Sequence, residues 1–230
     1  MDTMLKAITA GLLALVIACA SESAHARDIF IDTFSGNQLR PHWQQPPPSH
    51  WEHTVADSRL TVSGLFHPGV PGQPNVASIA AEFAPVMRDV IVVTADLGWE
   101  AGDGRSVSVR LFGPAGFVGA MGYEEVGGVR QVFLDGPFGR SIRPAPLPGS
   151  HRFRMVRGQD DTVLYIPGVF PMVLAGTGFE PLNRVDIAFS GVNSAPLSPL
   201  YIEHIHIVPA PEAVMAIACW MTVVGFRRRR

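Results

Sequence analysis

The chain has 230 residues, of which 18 are lysine or arginine and 20 are aspartate or glutamate, giving a formal net charge of −2. This balance excludes the clustered basic excess that is typical of nucleic-acid-binding proteins. The two cysteines, Cys19 and Cys219, lie near the ends, so the stretch between them can form neither a disulfide framework nor a thiolate site. The middle of the chain must therefore be stabilised by a packed core.

The first 26 residues have the pattern of a secretory signal peptide. Lys6 gives a positive flank, an apolar run follows it, and Ala24-His25-Ala26 is a small-x-small cleavage site for signal peptidase. An alternative is lipoprotein processing, because the residues before Cys19 are acceptable for a lipidated cysteine. Both alternatives predict export through the inner membrane.

Short β-branched runs bounded by glycine and proline dominate residues 27–207. This part has 13 arginines, no lysine and 17 acidic residues, and no stretch keeps a helical apolar period over three turns. Many short strands between turn signals are typical of an all-β sandwich or barrel. Prolines exclude central strands from the connections 41–49, 65–75 and 144–149. The predicted strands are 29–34, 54–63, 76–83, 90–99, 106–112, 118–122, 129–135, 151–157, 162–166, 185–189 and 200–207.

Several segments of this body resemble concanavalin A-like, laminin-G-type sandwich domains. At the start of the body, the resemblance lies in Asp32-Thr33-Phe34. Further along the chain it lies in residues 59–62, 153–156, 162–165 and 201–207, together with the single residues Leu39, Pro41, Trp43, Trp51 and Asp57. Pro167 stands where the family often has the aspartate of a Tyr-x-Asp-Gly turn. The resemblance implies an antiparallel jelly roll of two sheets whose concave face often binds carbohydrate.

Strand alternation identifies polar side chains that point away from the core. These residues are Thr94, Asp96, Arg110, Arg152, Arg154 and Asp186. If they are collected on one sheet, they form a polar face that can bind sugar hydroxyls, and arginine can pair with acidic polysaccharide. The plainer alternative is that they are the solvated side of a half-buried antiparallel sheet.

Aromatic residues give one further candidate for sugar stacking. We expect Trp43, Trp51 and Trp99 to pack in the core, because large aromatic side chains are mostly buried. Tyr123 precedes Glu124-Glu125 on a predicted loop, so it is the better surface candidate. Tyr123 therefore completes the predicted carbohydrate-binding set.

No cofactor or metal site is predicted. His204 and His206 are two apart on a strand and share a face, but a zinc site needs at least a third protein ligand, and the remaining histidines are scattered. Asp103-Gly104 and Asp160-Asp161 are typical of turns, which leaves Ca²⁺ as an alternative there.

Familiar catalytic motifs are missing from the sequence. Retaining glycosidases on this type of sandwich carry carboxylates spaced as Glu-x-Asp-x-x-Glu, which does not occur here, and Glu124 and Glu125 would face opposite ways on a strand. Gly-x-Ser-x-Gly, His-Glu-x-x-His and phosphate-loop patterns are also missing. The sequence therefore favours a protein without catalytic activity.

The last 23 residues combine a proline motif, an apolar stretch and a terminal arginine cluster. The motif and the cluster consist of Val208, Pro209, Pro211, Glu212, Arg227, Arg228, Arg229 and Arg230. Apolar residues enter hydrocarbon, whereas guanidinium groups stay on the cytoplasmic side. The apolar stretch 213–226 would be about 21 Å long as a helix, which is shorter than a usual span, so we expect a temporary anchor in the inner membrane.

This tail resembles the PEP-CTERM sorting signal of exported Gram-negative bacterial proteins, which the membrane protease exosortase processes. Ala210 lies between the two prolines, where that signal usually has glutamate. The predicted organisation is a signal peptide at 1–26, a β-sandwich at 27–207 and a sorting tail at 208–230.

The function expected from these features is that of a non-catalytic protein of the cell surface or extracellular matrix. Its partners would be signal peptidase, exosortase and a polysaccharide ligand, with no nucleic acid. The alternatives are a polysaccharide-cleaving glycosidase or lyase with an unrecognised site, and a purely structural biofilm component.

Overall fold

The computed structural model describes residues 28–44, 51–65, 74–100, 105–175, 180–192 and 199–209. The predicted signal peptide and the tail from residue 210 onwards, with the helices expected there, lie outside these ranges. Across the described ranges, no helix has the length and apolar character needed to cross a membrane. The fold consists of β-strands joined by turns.

The strands follow one another in chain order as numbered here. They are β1 Phe30–Asp32, β2 Trp43–Gln44, β3 Trp51–Ala56, β4 Arg59–Leu65, β5 Pro74–Val86, β6 Ile91–Trp99, β7 Arg105–Gly113, β8 Gly116–Val126, β9 Val129–Gly136, β10 Gly139–Pro144, β11 Gly149–Arg157, β12 Asp161–Tyr165, β13 Met172–Ala175, β14 Leu182–Val192 and β15 Leu200–Pro209.

These strands form two sheets. Sheet A has the order β13-β12-β11-β6-β15-β4-β3, with β1 also paired to β15, and sheet B has the order β10-β9-β8-β7-β14-β5-β2. Neighbouring strands run antiparallel, for example β6 with β11 and β7 with β8. The predicted fold class, an all-β sandwich of two antiparallel sheets, is confirmed.

The core lies between the two sheets and is built by alternation along the strands. On β6, Val93 and Leu97 are buried inward, and on β7, Val109 and Leu111 face them from the other sheet. Each fully buried side chain of this size contributes about 1.5–3 kcal/mol. The packed core between the sheets therefore stabilises the sandwich.

Some strand boundaries differ from the prediction for local reasons. The predicted strand 54–63 is two strands, because Asp57 and Ser58 both have positive φ and form a tight turn between β3 and β4. β10 was not predicted because its sequence is mostly polar, as suits an edge strand. β15 continues through Val208 and Pro209, which pair with β6, so these two residues of the predicted tail belong to the sheet.

Candidate functional site

The polar residues predicted to share one face are divided between the two sheets. Sheet A carries Thr94, Asp96, Arg152 and Arg154, whereas sheet B carries Arg110 and Asp186. The inner faces of both sheets form the core, so these two groups lie on opposite outer faces of the sandwich. The prediction of a single shared face is wrong, because alternation shows which side of a strand a residue is on but not which sheet the strand joins.

On the outer face of sheet A, the two arginines differ in their contacts. Arg152 donates from Nε and Nη2 to the two carboxylate oxygens of Asp96, at 2.8 and 2.9 Å. Arg154 is exposed and lies opposite Thr94 across the β11–β6 pair. The Arg152–Asp96 pair is open to solvent, where water weakens such interactions. This face offers hydrogen-bonding groups that are open to solvent.

His204 and His206 share the same outer face, with ring centroids 5.8 Å apart. His206 Nε2 lies 2.7 Å from Asp28 Oδ1, and His204 Nδ1 lies 4.0 Å from Asp96 Oδ2. Burial is the main cause that lowers the pKa of His204. Within the described ranges, no group of three or more histidine, cysteine or acidic residues could hold a metal ion.

Tyr123 is a core residue and not a surface residue. Its ring stacks on Trp99 with centroids 4.1 Å apart and planes 9° apart, and its hydroxyl donates to Glu125 Oε2 at 2.8 Å. Burial, together with the Glu125 carboxylate, raises the pKa of Tyr123. The surface prediction is wrong because β8 continues past Gly122, which places Tyr123 at an inward position. The core predictions for Trp43 and Trp99 are confirmed, and the Trp51 side chain lies outside the description.

The outer face of sheet B carries two continuous cross-strand rows. One row has a residue from each of seven strands: Arg140, Asp135, Ala120, Arg110, Asp186, Ala80 and Gln44. The neighbouring row consists of Ile142, Phe133, Gly122, Ser108, Ala188 and Ser78. The middle of the second row is made of small residues, whereas the first row has charged residues on both sides of Ala120.

The small residues in the middle are nearly inaccessible although they lie on an outer face. Ser108 is 3% exposed, Ala188 1% and Ala120 4%. We call this part of the outer face the sheet B trough, with Ala120, Gly122, Ser108 and Ala188 as its floor.

Three arginines stand around the floor of the trough. Arg184 donates two hydrogen bonds to the Asp186 carboxylate, from Nε to Oδ1 at 2.6 Å and from Nη2 to Oδ2 at 2.8 Å. Arg140 contacts two carboxylates, Glu124 Oε2 through Nη2 at 2.6 Å and Asp135 Oδ1 through Nε at 3.2 Å. Arg110 lies between Asp135 and Asp186 in the row, yet it makes no ion pair or hydrogen bond to another described residue. Arg110 is partly exposed, and its charge acts on Asp135 across Ala120.

Asp135 is a carboxyl group of the trough whose pKa is shifted. Burial raises the pKa of Asp135, and the nearby Glu124 raises it further, while Arg140 and Arg110 oppose the shift. The hydroxyl groups of Ser106 and Ser190, 2.6 Å apart, add donors and acceptors on the same face. The trough thus combines carboxylates, hydroxyls and guanidinium groups, which together can satisfy both the donors and the acceptors of a polar ligand.

Several trough residues were missed by sequence reasoning. Glu124 and Arg140 were not candidates, because the predicted strand 118–122 stopped before Glu124 and β10 was not predicted. Asp135 and Phe133 lie on the predicted strand 129–135 but were not chosen, since only the tertiary fold places them beside Arg140. Continued alternation beyond Gly122 was the signal that could have found Glu124. The pairing of β9 with β10 depends on the tertiary fold and left no comparable signal.

Comparisons with known proteins support the fold. No protein-family model and no curated protein matches the sequence. The chain is similar to the solved structure of an endo-beta-1,3-glucanase from Pyrococcus furiosus, at 13% identity and a TM-score of 0.60, covering 81% of this chain and 95% of that one. It is also similar to the carbohydrate recognition domain of Emp47p, at 7% identity and a TM-score of 0.58, covering 81% and 97%.

A third similar structure is the pseudo beta-1,3-glucanase of Mycobacterium tuberculosis, at 12% identity and a TM-score of 0.54, covering 80% of this chain and 99% of that one. At such identities, structural likeness shows the fold and does not transfer an activity. The chain has the concanavalin A-like fold, a jelly-roll sandwich of two antiparallel sheets.

Proposed function

We propose that this chain is an exported, surface-retained protein whose sandwich binds carbohydrate in the sheet B trough without cleaving it. The observation that carries the proposal is the position of Arg110 beside a floor of small residues. Its guanidinium makes no ion pair or hydrogen bond within the described ranges, and Ala120 and Ser108 beside it are small. Five N–H donors in a planar fork suit sugar hydroxyls and carboxylates.

The floor is closely packed, so a ligand would bind the side chains around it. At Gly122 an added Cβ would lie 2.4 Å from Val107 O and 2.8 Å from Ser108 Cβ, because that space is already filled. A sugar ring would therefore contact the side chains that surround the floor, as ligands do in sites that combine shape with a few polar groups.

The paired state of the carboxylates supports a role without catalysis. Glycoside hydrolysis uses two carboxyl groups on either side of the scissile bond, one of which begins protonated. In the trough, Glu124 and Asp135 share Arg140, and Asp186 is forked by Arg184. Carboxylates paired in this way neutralise the arginines and fix their orientation, and oriented arginines are suited to binding a ligand.

Polysaccharide cleavage is the second candidate function, and Asp135 favours it. Burial raises its pKa and Glu124 lies nearby, a combination that can provide a general acid beside a second carboxylate. Release of reducing ends from a polysaccharide by the purified chain, abolished by Asp135→Asn, would favour cleavage over binding alone.

The location in this proposal rests on the two ends of the sequence. Signal peptidase would cleave after Ala26, and exosortase would process the tail after a temporary stay in the inner membrane, leaving the body at the cell surface or in the extracellular matrix. Cell fractionation tests this part. A variant lacking residues 210–230 should change fraction relative to the full chain, and an equal distribution would contradict it.

Affinity electrophoresis of the full chain tests carbohydrate binding. The protein is purified in a polyoxyethylene detergent, which carries no sugar headgroup, and run through gels containing neutral or acidic polysaccharides. Arg110→Ala should remove the retardation, while Arg154→Ala, an exposed arginine on the opposite outer face, should retain it. Equal loss in both variants, or no retardation of the parent chain by any polymer, would contradict the proposed binding face.

A further inference from the structure

The Phe133 ring is covered although it lies on an outer face. It is only 5% exposed. Beneath it is Gly122, where an added Cβ would come within 2.9 Å of Phe133 Cζ. Over it lies the guanidinium of Arg140, whose Cζ is 4.6 Å from the ring centroid. The ring therefore lies between a strand that has no side chain at this point and a charged group that covers it.

The covering arginine is held by two carboxylates, to which a ligand could donate in its place. Arg140 Nη2 lies 2.6 Å from Glu124 Oε2, and Arg140 Nε lies 3.2 Å from Asp135 Oδ1. Its side chain is 44% exposed and belongs to β10, the outermost strand of sheet B. The two carboxylates are less exposed than Arg140, with Glu124 at 16% and Asp135 at 29%, so water screens these pairs only in part. Arg140 can move away from Phe133 when a ligand supplies other hydrogen-bond donors to these carboxylates.

We propose that Arg140 is a gate over an aromatic platform, and that this platform takes a neutral sugar residue. With Arg140 displaced, the C–H face of a pyranose ring would stack on Phe133. Its hydroxyls would donate to Glu124 and Asp135 in place of the guanidinium. This inference rests on the proposed carbohydrate binding, and it adds the substrate class and the residue that controls access.

The charges around Phe133 favour a neutral over an acidic sugar. Displacing Arg140 leaves Asp135 and Glu124 Oε2 without their cationic partner, while Gln131 Nε2 still donates to Glu124 Oε1. Sugar hydroxyls supply donors to these oxygens without charge. A uronate would add a third negative charge at the same place, which raises the cost of binding. Arg110, the nearest arginine in the row, acts on Asp135 electrostatically but makes no ion pair with it, because Ala120 of β8 lies between them.

The test measures binding of the full chain to two probes in affinity electrophoresis, a soluble neutral β-1,3-glucan and a polyuronate. Arg140→Gln breaks the ion pairs, so a larger fraction of molecules has an open platform, and the apparent Kd for the glucan should fall roughly threefold to tenfold. Adding Phe133→Leu should remove that gain. Arg143→Gln is the matched control, because Arg143 is an exposed arginine on the same strand that donates to the Ile142 carbonyl.

Each outcome decides between the gate and another role. Weaker glucan binding by Arg140→Gln would mean that Arg140 contacts the ligand, and it would overturn the gate. Binding of the polyuronate alone would overturn the gate and leave the proposed carbohydrate binding intact, whereas no binding of either probe would overturn both. If Arg140→Gln still lowers the apparent Kd for the glucan after Phe133→Leu is added, the platform is excluded. If that variant does not unfold cooperatively, Phe133→Met replaces it.

Discussion

The carboxylate of Asp32 accepts a hydrogen bond of 2.7 Å from the indole Nε1 of Trp43, eleven residues further along the chain. Asp32 ends β1 in sheet A, and Trp43 begins β2 in sheet B, so this bond connects the two sheets at their first crossing. The backbone N–H of Phe34 also donates to Asp32, at 2.7 Å, and the Phe34 ring stacks on Trp43. This arrangement gives a physical reason for the Asp-x-Phe and tryptophan pattern of the sequence.

We predict that Asp32→Ala lowers the free energy of unfolding by about 2–4 kcal/mol, because it leaves a buried indole N–H and a buried backbone N–H without an acceptor. Urea unfolding followed by tryptophan fluorescence measures the change. Asp28→Ala is the control, since Asp28 makes its hydrogen bond to His206 in an exposed position. A loss in Asp32→Ala no larger than the control's would contradict the structural role of the bond.

We predict that Asp135 makes the protein less stable as the pH rises. The folded-state pKa of Asp135 is raised above the ordinary value of 3.8, mainly by burial. Between the ordinary pKa and the raised one, the folded state binds more protons than the unfolded state, so the stability that this group contributes falls with increasing pH. The stability of Asp135→Asn relative to the parent should therefore increase as the pH rises above about 4.

Urea midpoints of the two proteins, taken at intervals from pH 3.5 to 7, measure this difference. Asp160→Asn, at an exposed position between β11 and β12, is the control for the change from aspartate to asparagine. A relative stability of Asp135→Asn that declines with pH would show that the ion pair with Arg140 outweighs burial.

The sequence predicted the layers of the molecule better than the arrangement of strands within them. Alternation on β6 correctly separated inward Val93 from outward Asp96, because it depends only on local geometry. The partners of β6 are β11 and β15, far along the chain, and no local pattern encodes those pairings. Asp96 and Asp186 therefore looked like neighbours in the sequence analysis, although they lie on opposite faces.

We predict that Gly98→Ala destabilises the protein by about 1–3 kcal/mol through overpacking. An added Cβ would lie 2.0 Å from two ring atoms of Tyr201, so the ring would have to move from beneath the Arg59 guanidinium, which is 4.0 Å from its centroid. Thermal unfolding of Gly98→Ala, Tyr201→Ala and the double variant tests this. The double variant should recover most of the Gly98→Ala loss, and strictly additive losses would exclude the contact as the cause.

We predict that replacing the turn between β3 and β4 with Asn-Gly stabilises the protein. Asp57 and Ser58 have φ values of 53° and 56°, the left-handed region at both central positions of a two-residue hairpin turn. A serine with its Cβ is strained there, whereas glycine is not, and asparagine tolerates the region better than most residues. Asp57→Asn combined with Ser58→Gly should raise the free energy of unfolding by about 0.5–1 kcal/mol after the entropic cost of glycine in the unfolded chain.

Ser141→Gly within β10 is the matched control and should lower the free energy of unfolding, because no positive φ is relieved there. Equal losses in both variants would show that the turn is not strained.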